Sequence, residues 1–166
     1  MAQAIILMGV SGSGKTTVGR LLAEELGWPF YDADDFHPPA NVERMRHGIA
    51  LTDEDREPWL ARLARLIADA LANDQSLVLA CSALKAAYRA QLEPRGAPPA
   101  AVRFVYLHIP MEVAAARLKD RPGHYMPAAL VPSQFAALEE PAEALVIDAT
   151  QTPEAIVAQI RRALAG

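Results

Sequence analysis

Residues Gly9-Val10-Ser11-Gly12-Ser13-Gly14-Lys15-Thr16 follow the pattern G-x-x-x-x-G-K-T, and their types suit the binding of a polyphosphate. Glycines free the backbone of Cβ clashes, so successive N–H groups can wrap around phosphate oxygens. Lys15 carries a mobile point charge for the β- and γ-phosphates, and the Thr16 hydroxyl is a hard ligand for Mg2+. Thr17 extends the phosphate-binding run. A second set of groups lies in Phe30-Tyr31-Asp32-Ala33-Asp34-Asp35. In an extended segment Asp32 and Asp34 point the same way. One carboxylate can then hold the water shell of a Mg2+ while the other faces an acceptor hydroxyl as a base. Solvated loop acids or an Asx turn are the plainer alternative, and Asp35 reads that way at least as well.

These groups need a scaffold that brings them to one edge. Strand-length apolar runs occur at 4–8, 28–31, 76–80, 102–108 and 144–147. Each is nearly continuous rather than alternating, the pattern of a parallel sheet covered on both faces. Helical periodicity fills 15–26, 53–73, 83–93, 111–120 and 153–165, and Thr52-Asp53-Glu54-Asp55 supplies a capping signal for the second of these. The alternation predicts a doubly wound α/β fold, a parallel five-stranded sheet with the glycine-rich loop after the first strand. In such a sheet ligands gather at the carboxyl edge of the strands, where both the loop and the Asp32/Asp34 pair fall. The helix after the loop turns its positive dipole end and unpaired N–H groups to the same place.

The 166 residues suit one domain, 1–166, with a single core. With 52% apolar and 22% charged residues and a net charge of −4, the balance is that of an ordinary globular protein without the basic stripe of a nucleic-acid binder. The lone cysteine, Cys81, cannot form an internal disulfide, which suits a reducing compartment. The apolar N-terminal run is too short for a secretory leader and lacks a basic start. No run nears the roughly 20 apolar residues of a membrane span. The expectation is a cytoplasmic protein with no membrane or nucleic-acid partner.

Phosphate binding does not name a reaction. The N-K-x-D motif by which GTPases read their base is absent, and the run Leu77-Val78-Leu79-Ala80 continues into Cys81-Ser82 without the terminal acid of ATPase motors and transporters. A regulatory nucleotide switch would need such base-reading and effector segments. The stretch from Asp34 to Leu60 contains His37-Pro38-Pro39-Ala40-Asn41 and Asp55-Arg56-Glu57-Pro58-Trp59-Leu60. With Cys81-Ser82-Ala83-Leu84-Lys85 through Arg89, Arg117-Leu118, Arg121 through Met126, Ser133-Gln134-Phe135 and Leu138-Glu139-Glu140-Pro141, it closely resembles the gluconokinases. These are small P-loop sugar-acid kinases related to shikimate kinase and the nucleoside monophosphate kinases. The likeness runs over essentially the whole chain. The Pro38-Pro39 pair and Thr16-Thr17 depart from common forms of the pattern without touching its chemistry.

The resemblance implies ATP- and Mg2+-dependent phosphorylation of D-gluconate at its 6-hydroxyl in a homodimeric enzyme, with an acceptor-binding insertion at about 36–60 and a mobile lid at about 117–130. Shikimate or another sugar acid is the alternative acceptor. Lys15, Asp34 and Arg121 are then the catalytic candidates. Gly9 through Thr17 and Arg117 bind ATP, and Thr16 and, through water, Asp32 hold the metal. Asp34, His37, Asn41, Arg56, Ser82, Lys85, Arg89 and His124 bind the sugar acid. Arg56 has a fork suited to a carboxylate, although a surface pairing with Asp53 or Glu57 is also open to it. Lys85 and Arg89, four residues apart, make a positive helix face for an anion or a merely solvated one. Tyr88 and Met45 read as packing residues.

Overall fold

A computed structural model describes residues 1–119 and 131–165. Strands β1 (Ala4–Met8), β2 (Phe30–Asp32), β3 (Leu77–Ala80), β4 (Val102–His108) and β5 (Leu145–Asp148) form one sheet in the order β2-β3-β1-β4-β5. Every pairing is parallel. The central strand β1 is wholly buried, and its side chains alternate between two cores as the two-residue period of a strand requires. Ile5 and Leu7 pack with Val18, Leu22, Ile156 and Ile160 on one face, whereas Ile6 and Met8 pack with Trp59, Leu63 and Ile67 on the other. Helices α1 (Lys15–Leu26) and α7 (Pro153–Ala165) therefore cover the first face, and α3 (Asp53–Ala72) and α4 (Ala86–Leu92) the second. This is the doubly wound arrangement that the continuous apolar runs imply.

The expected elements are all present, with shifted ends. The second strand begins at Phe30 rather than Trp28, because the chain is still reversing out of α1: Trp28 N–H donates to Ala23 O, and Pro29 has only a carbonyl to offer, which accepts from Val78 N–H. The outer strands are not covered on both faces. β2 is only partly buried throughout, and Val146 on β5 is 56% exposed. Helix α4 starts at Ala86 and not at 83, since Ala83 holds φ 45° and Lys85 is extended. The capping signal at Thr52 is realised as a reciprocal box, Thr52 and Asp55 each accepting from the other's N–H.

Two further helices lack a strong sequence signature. α2 (Pro39–Arg46) opens with proline at its first position, where a missing N–H costs nothing, and buries only Asn41 and Met45. α6 (Val131–Ala137) spans seven residues. Helix α5 (Met111–Lys119) lies before the undescribed segment. Both α2 and α6 are too short to show a decisive period, so their place is set by what they pack against.

Candidate active site

The carboxyl ends of β1, β2 and β3 open on a shared cavity. It is lined on the loop side by Ser11, Gly12, Gly14, Lys15 and Thr16, and on the far side by Asp32, Asp34, His37, Arg56 and Ser82, with Gln134 entering from α6. A second cleft of about 390 Å3 lies behind the loop, between Gly12, Thr17, Arg117, Gln151 and Ile156.

The loop is held from several sides. Gly12 has φ 88°, and a Cβ there would stand 2.7 Å from Ala114 O; one at Gly9 would stand 2.8 Å from Leu107 O. Only glycine allows the loop to lie so close to α5 and β4. Gly9 N–H donates to Ser82 O at 3.2 Å. Lys15 Nζ donates to Gly9 O and Val10 O, both at 2.9 Å, which keeps the ammonium at the loop mouth. Helix α1 starts at Lys15, so its first-turn N–H groups face the same place. Val10 and Ser13 are buried beneath the loop.

The two residues expected to hold a metal meet directly. Thr16 Oγ1 donates to Asp32 Oδ2 at 2.9 Å, while Asp32 Oδ1 accepts from Asp34 N–H at 3.0 Å. Asp32 thus caps a 3-10 turn, Ala33–Phe36. That turn corrects the expectation from strand alternation. Asp34 is not two residues along an extended segment, and it reaches the cavity because the chain coils after Asp32. Asp35 is exposed, as a solvated acid would be.

The residues expected on the acceptor side lie just before α2 and on α3. The His37 ring stacks on Trp59 with centroids 4.2 Å apart and planes 13° from parallel. Trp59 Nε1 is itself fixed by Ala33 O at 2.7 Å. Burial, and to a lesser degree the Arg56 charge, pull the His37 pKa down to about 4, so the ring is neutral near pH 7. Among the described residues Arg56 spends only Nη1, donating to Leu51 O at 2.8 Å and to the Tyr88 hydroxyl at 3.1 Å. Its Nε–Nη2 edge, the one that pairs with a carboxylate in two parallel hydrogen bonds, has no partner among the described residues.

Other candidates sit elsewhere. Asn41 does not line the cavity; its amide nitrogen is engaged by Asp55 O and the His37 ring. Lys85 and Arg89 do not share an open positive face, which is a second correction. Lys85 precedes α4 in extended backbone, donates to Asp53 Oδ1 at 3.1 Å and stands outside the cavity. Arg89 is 9% exposed, and its donors go to Ala83 O, Leu84 O and Glu139 O. Burial lowers its pKa, and the three carbonyls hold the charge inside the fold. Cys81 is fully enclosed, and burial pushes its thiol up to about 12, so it stays protonated and inert. Arg121 and His124 lie outside the described residues.

Residues expected to do something else, or nothing in particular, also matter. Gln134 accepts from Ser11 N–H at 2.7 Å and donates to Ser11 Oγ at 3.0 Å. Tyr88, read as packing, donates to Asp53 while accepting from Arg56. The Tyr88 hydrogen bond, then Lys85, draws the Asp53 carboxyl below its usual range. Arg117 donates to Gly12 O at 3.1 Å and Ala149 O at 2.9 Å, and so tethers the loop from the second cleft. Single residues of this kind carry no local pattern of their own, although Tyr88, Arg117 and Gln134 all lie within stretches that resemble the family.

Comparison with known proteins places this arrangement. The family model described as shikimate kinase matches residues 11–165. A gluconokinase from Gluconobacter oxydans is 48% identical, over 84% of this chain and 76% of its own. A probable gluconokinase from Xenopus tropicalis is 44% identical, over 94% of this chain and 90% of its own. The chain belongs to the gluconokinase family. A solved gluconokinase from Sinorhizobium meliloti superposes with a TM-score of 0.85 at 42% identity, covering 98% of this chain and 91% of that one. The chain is therefore a P-loop kinase, and its fold is that of the gluconokinases rather than of a motor or a switch.

Proposed function

We propose that this gluconokinase-family enzyme transfers the γ-phosphoryl group of ATP to the 6-hydroxyl of D-gluconate, giving 6-phospho-D-gluconate and ADP. One observation carries the acceptor side of this reading: Arg56, whose Nε–Nη2 edge has no partner among the described residues, lines the cavity that also holds Lys15 and Asp34. A guanidinium edge, a neutral imidazole and a carboxylate around one space suit a molecule with a carboxylate at one end and a hydroxyl at the other.

ATP lies with its phosphates in the loop and its base in the cleft beside Arg117 and Thr17. The loop N–H groups and Lys15 neutralise the β- and γ-phosphates, so the developing charge meets fixed dipoles. Arg56 grips the sugar-acid carboxylate, which sets the far hydroxyl in line with the γ-phosphorus. Asp34 accepts the hydroxyl proton as the oxygen–phosphorus bond forms and the bond to ADP breaks. The geometry asks for little covalent chemistry from the protein; positioning and charge do the work. Thr16 and Asp32, hard oxygens in contact with each other, fit a Mg2+ held mostly by water and phosphates. Bound there, the ion would offset phosphate charge. The segment 36–60 serves as the acceptor-binding insertion, and a cytoplasmic homodimer is the working form.

The test is a coupled ADP-release assay with ATP and Mg2+ across D-gluconate, shikimate and other polyol acids. Gluconate is expected to give the highest kcat/KM. Release above background with shikimate or another acid alone would overturn the substrate assignment.

A further inference from the structure

Asn41 is 5% exposed, and its amide has a single allowed orientation. Nδ2 stands 2.8 Å from Asp55 O, a pure acceptor, so the opposite orientation would press two oxygens together. The same NH2 group lies 3.3 Å from His37 Nδ1. An amide NH2 only donates, so Nδ1 must accept and cannot carry a proton. The ring proton is then on Nε2, an atom with no hydrogen-bond partner among the described residues, in a side chain that lines the cavity. Stacking on Trp59, itself anchored to Ala33 O, fixes the ring plane, and a half-turn flip within that plane would set Cδ2 instead of Nδ1 against the Asn41 NH2 group.

Resting on the function proposed above, we propose that Asn41 is a positioning residue which fixes the tautomer of His37, so that its Nε2–H recognises an acceptor oxygen of the sugar acid and the ring does not serve as the proton acceptor. The low proton affinity of the buried ring acts in the same direction, since a neutral imidazole with Nδ1 as acceptor keeps one donor edge over the working pH range. The charged groups around that edge are Lys15 from the loop, Asp32 and Asp34 beyond β2, and Arg56 from α3. Among these the proton-accepting role falls to Asp34. Asn41 thus joins the substrate side without touching substrate, through the chain Asp55 O, Asn41 Nδ2, His37 Nδ1.

Two measurements test this. Nitrogen NMR of the 15N-histidine-labelled full-length enzyme at pH 7, without substrate, reads the tautomer directly, with His37→Phe assigning the resonance. The expected spectrum shows His37 protonated at Nε2 alone, and Asn41→Ala introduces the second tautomer. A ring protonated at Nδ1 in the wild type, or a tautomer indifferent to Asn41→Ala, overturns the proposal. In steady-state kinetics His37→Phe keeps the stacking but loses the donor, and should raise the acceptor KM about tenfold with the ATP KM unchanged. His37→Gln, which places an N–H near the Nε2 position, should recover part of that loss. An unchanged acceptor KM in His37→Phe would also overturn it. The kinetics use whichever acid the wild type phosphorylates, so failure of gluconate as substrate is read separately, and the NMR result stands in either case.

Discussion

Gln134 and Ser11 are joined by two hydrogen bonds although 123 positions separate them: the glutamine oxygen accepts from the Ser11 N–H at 2.7 Å and its amide donates to the Ser11 hydroxyl at 3.0 Å. Helix α6 thereby holds the phosphate loop from above, and the loop shape depends on a residue far from the glycine motif. Replacing Gln134 with Leu should raise the ATP KM about five- to tenfold, from the loss of one or two net hydrogen bonds, and leave the acceptor KM alone. Nucleotide titration of the variant checks this; unaltered or tighter binding would show that Gln134 does not shape the loop.

Arg56 lies with its guanidinium carbon 5.4 Å from the Tyr88 ring centroid and bonds the Tyr88 hydroxyl. Tyr88→Phe keeps the ring under the arginine but removes the anchor. The acceptor KM should rise about fivefold while kcat and the ATP KM change little. Equal losses for both substrates would point to a general loosening of the α3–α4 contact.

Asp34→Asn should keep nucleotide affinity and lose about a hundredfold or more in kcat, the usual contribution of a placed base. Lys15→Ala, by contrast, should weaken the transition state with the fold intact, as circular dichroism would show. A near-normal kcat in Asp34→Asn would remove the base assignment.

Arg89 is a structural residue, so Arg89→Met should act on stability. Three carbonyls lose a charged donor, at a cost of about 3 kcal/mol and a Tm lowered by roughly 6–12 °C. If the Tm held and only substrate affinity fell, the residue would belong to the site after all.

His37 also ties stability to pH. Its folded pKa of about 4 lies below the ordinary histidine value of 6.5, so between those values the unfolded chain binds a proton that the folded one refuses. Stability from this group is intact above pH 6.5 and declines as pH falls toward 4, by roughly 2 kcal/mol once partial exposure is allowed for. Denaturant midpoints of the wild type should fall more steeply over that window than those of His37→Phe. Parallel curves would count against a buried neutral ring.

Much of this molecule is legible in one dimension. Glycine spacing, continuous apolar strands and helical periods are local consequences of backbone sterics and burial, so G-x-x-x-x-G-K-T, the five strands and five of the seven described helices could be read directly. The H-P-x-x-N and D-R-x-P-W-L stretches carried the resemblance to the family. What the chain order hides is which polar group meets which. Lys85 and Arg89 share a sequence interval, yet one pairs at the surface with Asp53 and the other is enclosed by carbonyls, because the backbone at Ala83 and Lys85 delays the helix. Asn41 looked like a sugar ligand and is instead bonded to Asp55 and His37. The motifs by themselves marked the glycine-rich loop after β1 and the acids that lie near it. Tertiary packing alone decided which donors of Arg56 are taken up by Leu51 and Tyr88, that His37 Nδ1 meets Asn41, and that Gln134 closes on the loop, since hydrogen-bond partners are chosen in space and not along the chain.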